Sequence, residues 1–396
     1  MISEKKPQVE LVERLHSLFP DNSHPVTAVR APGRVNLIGE HTDYNAGYVL
    51  PAAIDREVSM AAQARDDDLC CIHSVNFGDV ASFSLRSIAF NRESTWLNYP
   101  QGVAAMLLQA GYPVQGMNAV VYGTVPIGAG LSSSAAIEVA SALAFSYTGG
   151  FTVPEDDLIR LCQKAENVFV GMSCGIMDQS ISVLGKKGHA LLIDCRTLDR
   201  QLVRLPADDV RIVVCDTRVE RRLVASEYNL RRQQCEEGVR LLSSCLPEIE
   251  ALRDVRLDQF AEHCGVLPEA IASRCQHVIE ENGRVLQAVQ AMAAGDLEAL
   301  GELFAASHRS LRDLYEVSCP ELNLMVELAT SVPGVVASRM TGGGFGGCTV
   351  NLVKTEAIED LRRVIEEAYP RATGITPAVY VCEAADGAGE YAASEG

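Results

Sequence analysis

Five of the six residues from Gly342 to Gly347 are glycine, and they lie between two β-rich runs, SRMT and CTVNLV. So many glycines in one stretch are costly in chain entropy. The spacing satisfies GxGxxG formally, yet a dinucleotide fingerprint follows a strand and opens a helix, whereas here a second strand follows. The segment therefore reads as a loop joining two strands, its backbone free to lie against a ligand. A plain hairpin without a ligand satisfies the same pattern.

The rest of the chain is also mixed in type. Thr27 to about Ser84 is mainly strand, QGVAAMLLQAGYP is helical up to Gly111 and Pro113, and MNAVVYGTVP is a strand. Helices are expected through SSSAAIEVASALAFSY, PEDDLIRLCQKAENVFVG, Val219–Leu242, 278–294, 296–306 and LRRVIEEAYP. HALLIDC, VRIVVCDT and PAVYVCE read as strands. This is an α/β chain of the α+β kind, because strands and helices do not alternate strictly. Its 396 residues suit two domains, 1–205 and 206–396, divided near the polar linker LPADD. The opening MISEKKPQVELVERLHSLFP predicts a short amphipathic helix with Val9, Leu11, Val12, Leu15 and Leu18 on its apolar face. The closing AADGAGEYAASEG is expected to fray or to pack back on the first domain.

Charge and cysteine spacing narrow the function. With 52 acidic against 34 basic residues the formal charge is −18, a surface that repels nucleic acid and anionic lipid. Mg²⁺ is then expected to accompany any nucleotide. No CxxC pair occurs among the 13 Cys, which argues against zinc and thioredoxin-like sites and fits a reducing cytosol. No signal-peptide core and no apolar run long enough to cross a bilayer is present, so a cytoplasmic protein without membrane contact is expected.

Three further segments could carry chemistry. In GRVNLIGEHTDYNAGYVLP, Glu40, His41 and Asp43 lie within four residues, bracketed by apolar runs. Convergent acceptors and donors between apolar walls suit a sugar, although a charged turn or a metal site is compatible with the same residues. Arg34 is costly in a β-rich run unless it meets an anion. In PIGAGLSSSAAIEVASALA, Gly128 and Gly130 permit close approach of a ligand, and Ser132, Ser133 and Ser134 open a helix whose free N–H groups attract phosphate. This is not a Walker A loop, and an ordinary capped helix is the simpler alternative. In ENVFVGMSCGIMDQSISVLG, Asp178 has the position of a helix cap. Glu166 lies near a helix C-terminus, where a carboxylate calls for a cation, either Mg²⁺ or a nearby Lys or Arg.

Together these segments resemble a known family. GRVNLIGEHTDY is similar to the galactokinase signature. PIGAGLSSSAA and SRMTGGGFGGC resemble the second and third motifs of the wider family of galactokinases, homoserine kinases, mevalonate kinases and phosphomevalonate kinases. MSCGIMDQSIS, KKGHALLIDCR, SEYNLRRQQC and SHRSLRDLYEVSCPEL extend the similarity over nearly the whole chain. The resemblance implies a two-domain kinase fold with its active site in the inter-domain cleft. It carries over Asp178 as the catalytic carboxylate and Arg34 as its cationic partner. Glu40, His41, Asp43, Gly175 and Tyr228 match positions that hold galactose, and Ser134 and Glu166 match Mg²⁺ ligands. Gly128, Gly130, Leu131, Ser132, Ser133 and Ser134 match the ATP phosphate loop, and Trp96 and Tyr99 match a WxxY element beside the adenine.

The activity so implied is transfer of phosphate from ATP to the anomeric hydroxyl of galactose by a monomeric enzyme. An N-acetylgalactosamine kinase on the same fold is the nearest alternative, although CGIMDQ and SEYNLRR resemble the galactose-specific branch. A sensor that binds galactose and ATP with little turnover is the alternative of another class.

Overall fold

The structure is a computed structural model that describes residues 7–219 and 224–391. Its strands are β1 (Val26–Asn36), β2 (Tyr48–Val49), β3 (Pro51–Ala64), β4 (Leu69–Ser74), β5 (Asp79–Ser84), β6 (Met117–Gly123), β7 (His189–Asp194), β8 (Arg200–Arg204), β9 (Val210–Asp216), β10 (Val335–Thr341), β11 (Cys348–Lys354), β12 (Ala378–Cys382) and β13 (Gly389–Glu390). The helices are α1 (Pro7–Leu18), α2 (Asn98–Gln109), α3 (Ser133–Gly149), α4 (Glu155–Lys164), α5 (Met177–Leu184), α6 (Val224–Leu242), α7 (Leu257–His263), α8 (Glu269–Ala294), α9 (Leu297–Asp313), α10 (Pro320–Thr330) and α11 (Ile358–Thr373).

The strands form three sheets. One has the order β13-β1-β3-β6-β4-β5, one β10-β11-β9-β12 and the smallest β2-β7-β8. All pairings are antiparallel except β4 with β6. In β4 the run LCCIHS buries every second residue, as one covered face requires. β11 is buried along CTVNLV because it lies inside its sheet between two hydrophobic clusters, one on each face.

Helix α3 lies on β1 and β3. The fully buried Ala135, Ala136, Ala140 and Ala144 let it approach the sheet closely, which brings its N-terminus to the end of β1. Helices α10 and α11 cover one face of the four-stranded sheet through Met325, Ala329, Leu361, Ile365 and Tyr369. Helix α9 runs along β10, and α8 packs against α9 and α6.

Several sequence expectations need correction. In α1, Leu11 and Leu15 are buried against Ala61 and Val120, while Val9 and Leu18 are 37% and 41% exposed, so the apolar stripe is narrower than proposed. Helix α8 begins at Glu269, nine residues before the expected start, and α9 continues to Asp313. Strand β8 and helices α7 and α10 are additional. The tail does not fray over its described part. Gly389 and Glu390 pair with Arg30 and Val29, and the Tyr391 N–H donates to Ala28. Residues 1–6 of the proposed amphipathic segment, 220–223 of the proposed long helix and 392–396 of the tail lie outside the described residues.

Candidate active site

The site begins with an irregularity in β1. The register against β3 shifts between Pro32 and Arg34, a bulge where a proline without an N–H is tolerated. Gly33 passes so close to Leu131 that a Cβ would stand 2.7 Å from its carbonyl oxygen. The Arg34 N–H then donates to that carbonyl at 3.0 Å, which ties the bulge to the turn before α3 and aims the guanidinium inward.

That guanidinium meets Asp178 in the first turn of α5. Arg34 Nε and Nη2 donate to Oδ1 and Oδ2, each at 2.8 Å, and Nη1 donates to the Gly130 carbonyl at 2.7 Å. The anion that the β-run arginine called for is therefore Asp178. The Ser132 hydroxyl also donates to Asp178. Asp178 is inside α5 rather than at its cap, where the helix N-terminus favours a carboxylate.

These groups line a cavity of about 480 Å³, a size typical of small-molecule sites. Every residue given a catalytic, sugar, ATP or metal role from the sequence lines it except Leu131. The Leu131 side chain is buried in the core, and only its backbone serves the site. Gly128 and Gly130 adopt φ of 76° and 82°, and Ser132 takes the left-handed conformation before Ser133 opens α3. None of the three serines caps the helix in the ordinary way. Trp96 lies at one end of the cavity, its indole N–H donating to Asp79 at 3.3 Å and its ring stacked at 6.2 Å from Phe77.

The polar cluster of the second segment surrounds the other end. Asp43 packs so closely on Gly175 that a Cβ there would stand 1.9 Å from its carboxylate, which explains the glycine. Burial, then the nearby Asp178 charge, pushes the Asp43 pKa up to about 7. The His41 ring lies among Tyr44, Tyr228 and Tyr315. Burial, then His277 and Arg231, hold its pKa well below the usual value, so the ring is neutral.

Glu40 is largely engaged by the protein. Its Oε1 accepts from the Gly342 N–H at 2.6 Å and from Thr341 Oγ1 at 3.2 Å, and its Oε2 accepts from Asn36 and from Arg339 Nη1 at 3.2 Å. Burial raises its pKa in spite of Arg339 and the Gly342 N–H. Glu40 thus fastens the Gly-rich loop, of which Gly342 and Gly343 reach the cavity. Gly344 and Gly346 pack instead against Val317 and Val219.

Glu166 is buried, where α4 continues as a wider π-helical turn. Burial and the Asp178 charge raise its pKa, opposed by Cys174, Ser134 and Gln179. Among the described residues no Lys or Arg pairs with it. Gln179 Nε2 instead bridges Glu166 Oε2 at 2.8 Å and Glu138 Oε2 at 3.0 Å, leaving Glu138 Oε1 buried without a partner. This is an oxygen-lined place short of positive charge. Among the described residues no group of three or more His, Cys, Asp or Glu could hold a metal alone. Mg²⁺ needs only one or two protein oxygens when phosphates and water complete its shell, so Ser134 and Glu166 fit that ion.

Sequence reasoning missed Glu138, Gln179, Arg339, Tyr315 and Phe77. Two carried a signal. Arg339 lies in a β-rich run as Arg34 does, and Glu138 is the one charged residue in the small-residue run SSSAAIEVASALA.

Known proteins share this architecture. Family models described as galactokinase galactose-binding signature, GHMP kinases N terminal domain and GHMP kinases C terminal match residues 15–64, 98–186 and 288–371. A galactokinase of Roseiflexus sp. (strain RS-1) is 48% identical over 96% of both chains. That of Chloroflexus aurantiacus is 47% identical over 94% of this chain and 95% of its own. A crystal structure of Lactococcus lactis galactokinase complexed with galactose superposes with a TM-score of 0.91 at 35% identity, covering 96% and 98% of the two chains. Methanococcus jannaschii mevalonate kinase, 18% identical with a TM-score of 0.67 over 93% of this chain and 100% of its own, shares the fold. The two-domain kinase fold implied by the motifs is the one found, and the chain belongs to the galactokinase family.

Proposed function

We propose that this chain transfers the terminal phosphate of ATP to the anomeric hydroxyl of galactose, giving galactose 1-phosphate. The Arg34–Asp178 fork carries this reading. It stands between the Ser-rich start of α3, suited to phosphate, and the Asp43–Gly175 wall, suited to a sugar. Phosphoryl transfer depends on in-line placement and on neutralising charge at the transferring group. Asp178 accepts the proton of the attacking hydroxyl and orients it, while Arg34 and the free N–H groups of α3 face the phosphates. Asp43, His41, Glu40, Gly175 and Tyr228 hold the sugar, and Trp96 and Tyr99 flank the adenine. Ser134 and Glu166 hold Mg²⁺, which supplies positive charge to the phosphate oxygens when bound.

All these groups come from one chain, so the proposed site needs no residue from a second copy. The thirteen cysteines are free, which supports a reducing, cytosolic setting, and no helix among the described residues is long and apolar enough to cross a membrane. Coupled ADP release measured with galactose, glucose, galactosamine, N-acetylgalactosamine and mevalonate tests the activity. Turnover is expected with galactose above the others. Preference for N-acetylgalactosamine would reassign the substrate, and binding of galactose and ATP without ADP release would make the chain a sensor.

A further inference from the structure

A chain of hydroxyls ends on the histidine of the sugar pocket. His41 Nδ1 lies 2.7 Å from the Tyr44 hydroxyl, which lies 2.7 Å from the Tyr315 hydroxyl, itself 3.2 Å from Cys235 Sγ. Tyr315 and Cys235 are fully buried, and His41 is 4% exposed. The His41 ring lines the cavity, while its Nε2 is itself buried and makes no hydrogen bond of ordinary geometry, and the Gly343 backbone is close enough to raise the ring's basicity. Tyr44 lies in the first half of the chain, whereas Tyr315 follows α9 and Cys235 lies in α6.

The direction of this chain follows from donor and acceptor strength. A neutral imidazole nitrogen accepts better than a phenol oxygen, and a phenol donates better than an imidazole N–H. The 2.7 Å contact is therefore O–H to N, with Tyr44 the donor. Having given its only proton to His41, Tyr44 must accept from Tyr315. Tyr315 in turn accepts from the Cys235 thiol, whose pKa burial pushes up to about 11, so that it keeps its proton. Tilted ring contacts from Tyr315 at 4.7 Å and Tyr228 at 5.5 Å pack against the imidazole and restrict its rotation.

We infer that the Tyr44–Tyr315 hydroxyl pair is a positioning device that holds His41 with its proton on Nε2, so that the ring presents only a hydrogen-bond donor on its Gly343 side and a sugar oxygen that reaches it there must accept. The inference rests on the reading of this cavity end as the sugar pocket. It makes Tyr315 a positioning residue that acts through His41. A sugar hydroxyl, which always has a lone pair to offer, is accommodated, and an ammonium, which can only donate, is rejected.

The test is a long-range proton–nitrogen spectrum of the full chain with ¹⁵N-labelled histidine, the His41 signals identified by their loss in His41→Gln. The wild-type ring is expected to show a bare Nδ1 and a protonated Nε2 from pH 6 to 8, before any ligand is added. In Tyr44→Phe and Tyr315→Phe the two nitrogens are expected to move toward averaged values. Calorimetry is expected to show galactose binding weakened about 2- to 12-fold, the effect of one lost neutral hydrogen bond, with ATP affinity unchanged. A wild-type ring protonated on Nδ1, or variants that keep both the wild-type spectrum and galactose affinity, would overturn the inference. If Tyr315→Phe fails to fold, the wild-type spectrum and Tyr44→Phe decide. Wild-type protein that binds no galactose would remove the sugar reading, while the spectrum still judges the hydroxyl chain.

Discussion

Arg34 and Asp178 meet through two parallel N–H···O bonds of 2.8 Å, with side chains 7% and 22% exposed. A planar guanidinium fixes a carboxylate in this way better than an ammonium does. Asp178→Asn keeps the shape and one acceptor but removes the charge and the capacity to take a proton. Turnover is expected to fall by about 10²–10⁴-fold, with ATP affinity within a few fold of wild type by calorimetry. Near-normal turnover would remove Asp178 from the role of proton acceptor.

Asp43 gives the protein a pH signature. Its pKa is raised from 3.8 to about 7 by burial and by Asp178, so the folded state holds its proton more tightly than the unfolded state does. Between about pH 4 and pH 7 the native protein binds more protons, and this group's contribution to stability falls as pH rises, by at most ~4 kcal/mol. Above about pH 7 the loss is complete. Asp43→Asn is expected to lack that slope, and its Tm advantage over wild type should grow from pH 5 to pH 7.5 and then level off. Parallel Tm profiles would refute the assignment. The same variant should bind galactose far more weakly than wild type while binding ATP normally.

What was legible in the sequence was local. The Gly-rich loop between two strands and the close approach at Gly128 and Gly130 each depend on residues next to one another, so glycine placement revealed them, whereas the bulge at Pro32-Gly33 emerged only with the fold. The partners were long-range. Arg34 and Asp178 are 144 residues apart, and Glu40 and Gly342 are 302 apart. Only the resemblance to kinases brought Arg34 and Asp178 together before the fold did. For Glu40 a sugar, a charged turn and a metal were weighed, and its hold on the Gly-rich loop was invisible because no spacing rule connects the segment after β1 to the loop after β10. Gln179 was hidden for the opposite reason, since beside Asp178 it reads as ordinary helix filling.

Magnesium dependence tests Glu166. Chelation with EDTA should abolish turnover, and excess Mg²⁺ should restore it. In wild type, Mg²⁺ should tighten ATP binding as measured by calorimetry, and in Glu166→Gln that gain should shrink to less than a third. Because burial and Asp178 raise the Glu166 pKa, the neutral glutamine should also make the ligand-free protein more stable at pH 8. An undiminished Mg²⁺ effect on ATP binding would move the ion away from Glu166.

Arg339 poses the question of what joins the sugar pocket to the Gly-rich loop. Its side chain is fully buried, 3.2 Å from Glu40 Oε2 and 3.9 Å from Glu281 Oε1, and Nη1 also donates to the Leu37 carbonyl at 2.9 Å. Burial alone would raise the Glu281 pKa, but Arg284, His277 and Arg339 together hold it at about 2. Glu40 lacks that surplus of positive charge and depends on Arg339 more heavily. Removing one partner of a buried pair costs about 3–5 kcal/mol, because the other is left as an uncompensated charge. Arg339→Met should therefore lower the urea midpoint by that equivalent, and it should weaken galactose binding by loosening Glu40. Glu40→Gln in the Arg339→Met background removes the stranded charge, so the double variant should be more stable than Arg339→Met alone. If the two losses simply add, Arg339 serves the backbone carbonyls of β1 and not the carboxylate, and the link from sugar pocket to loop runs through Gly342 alone.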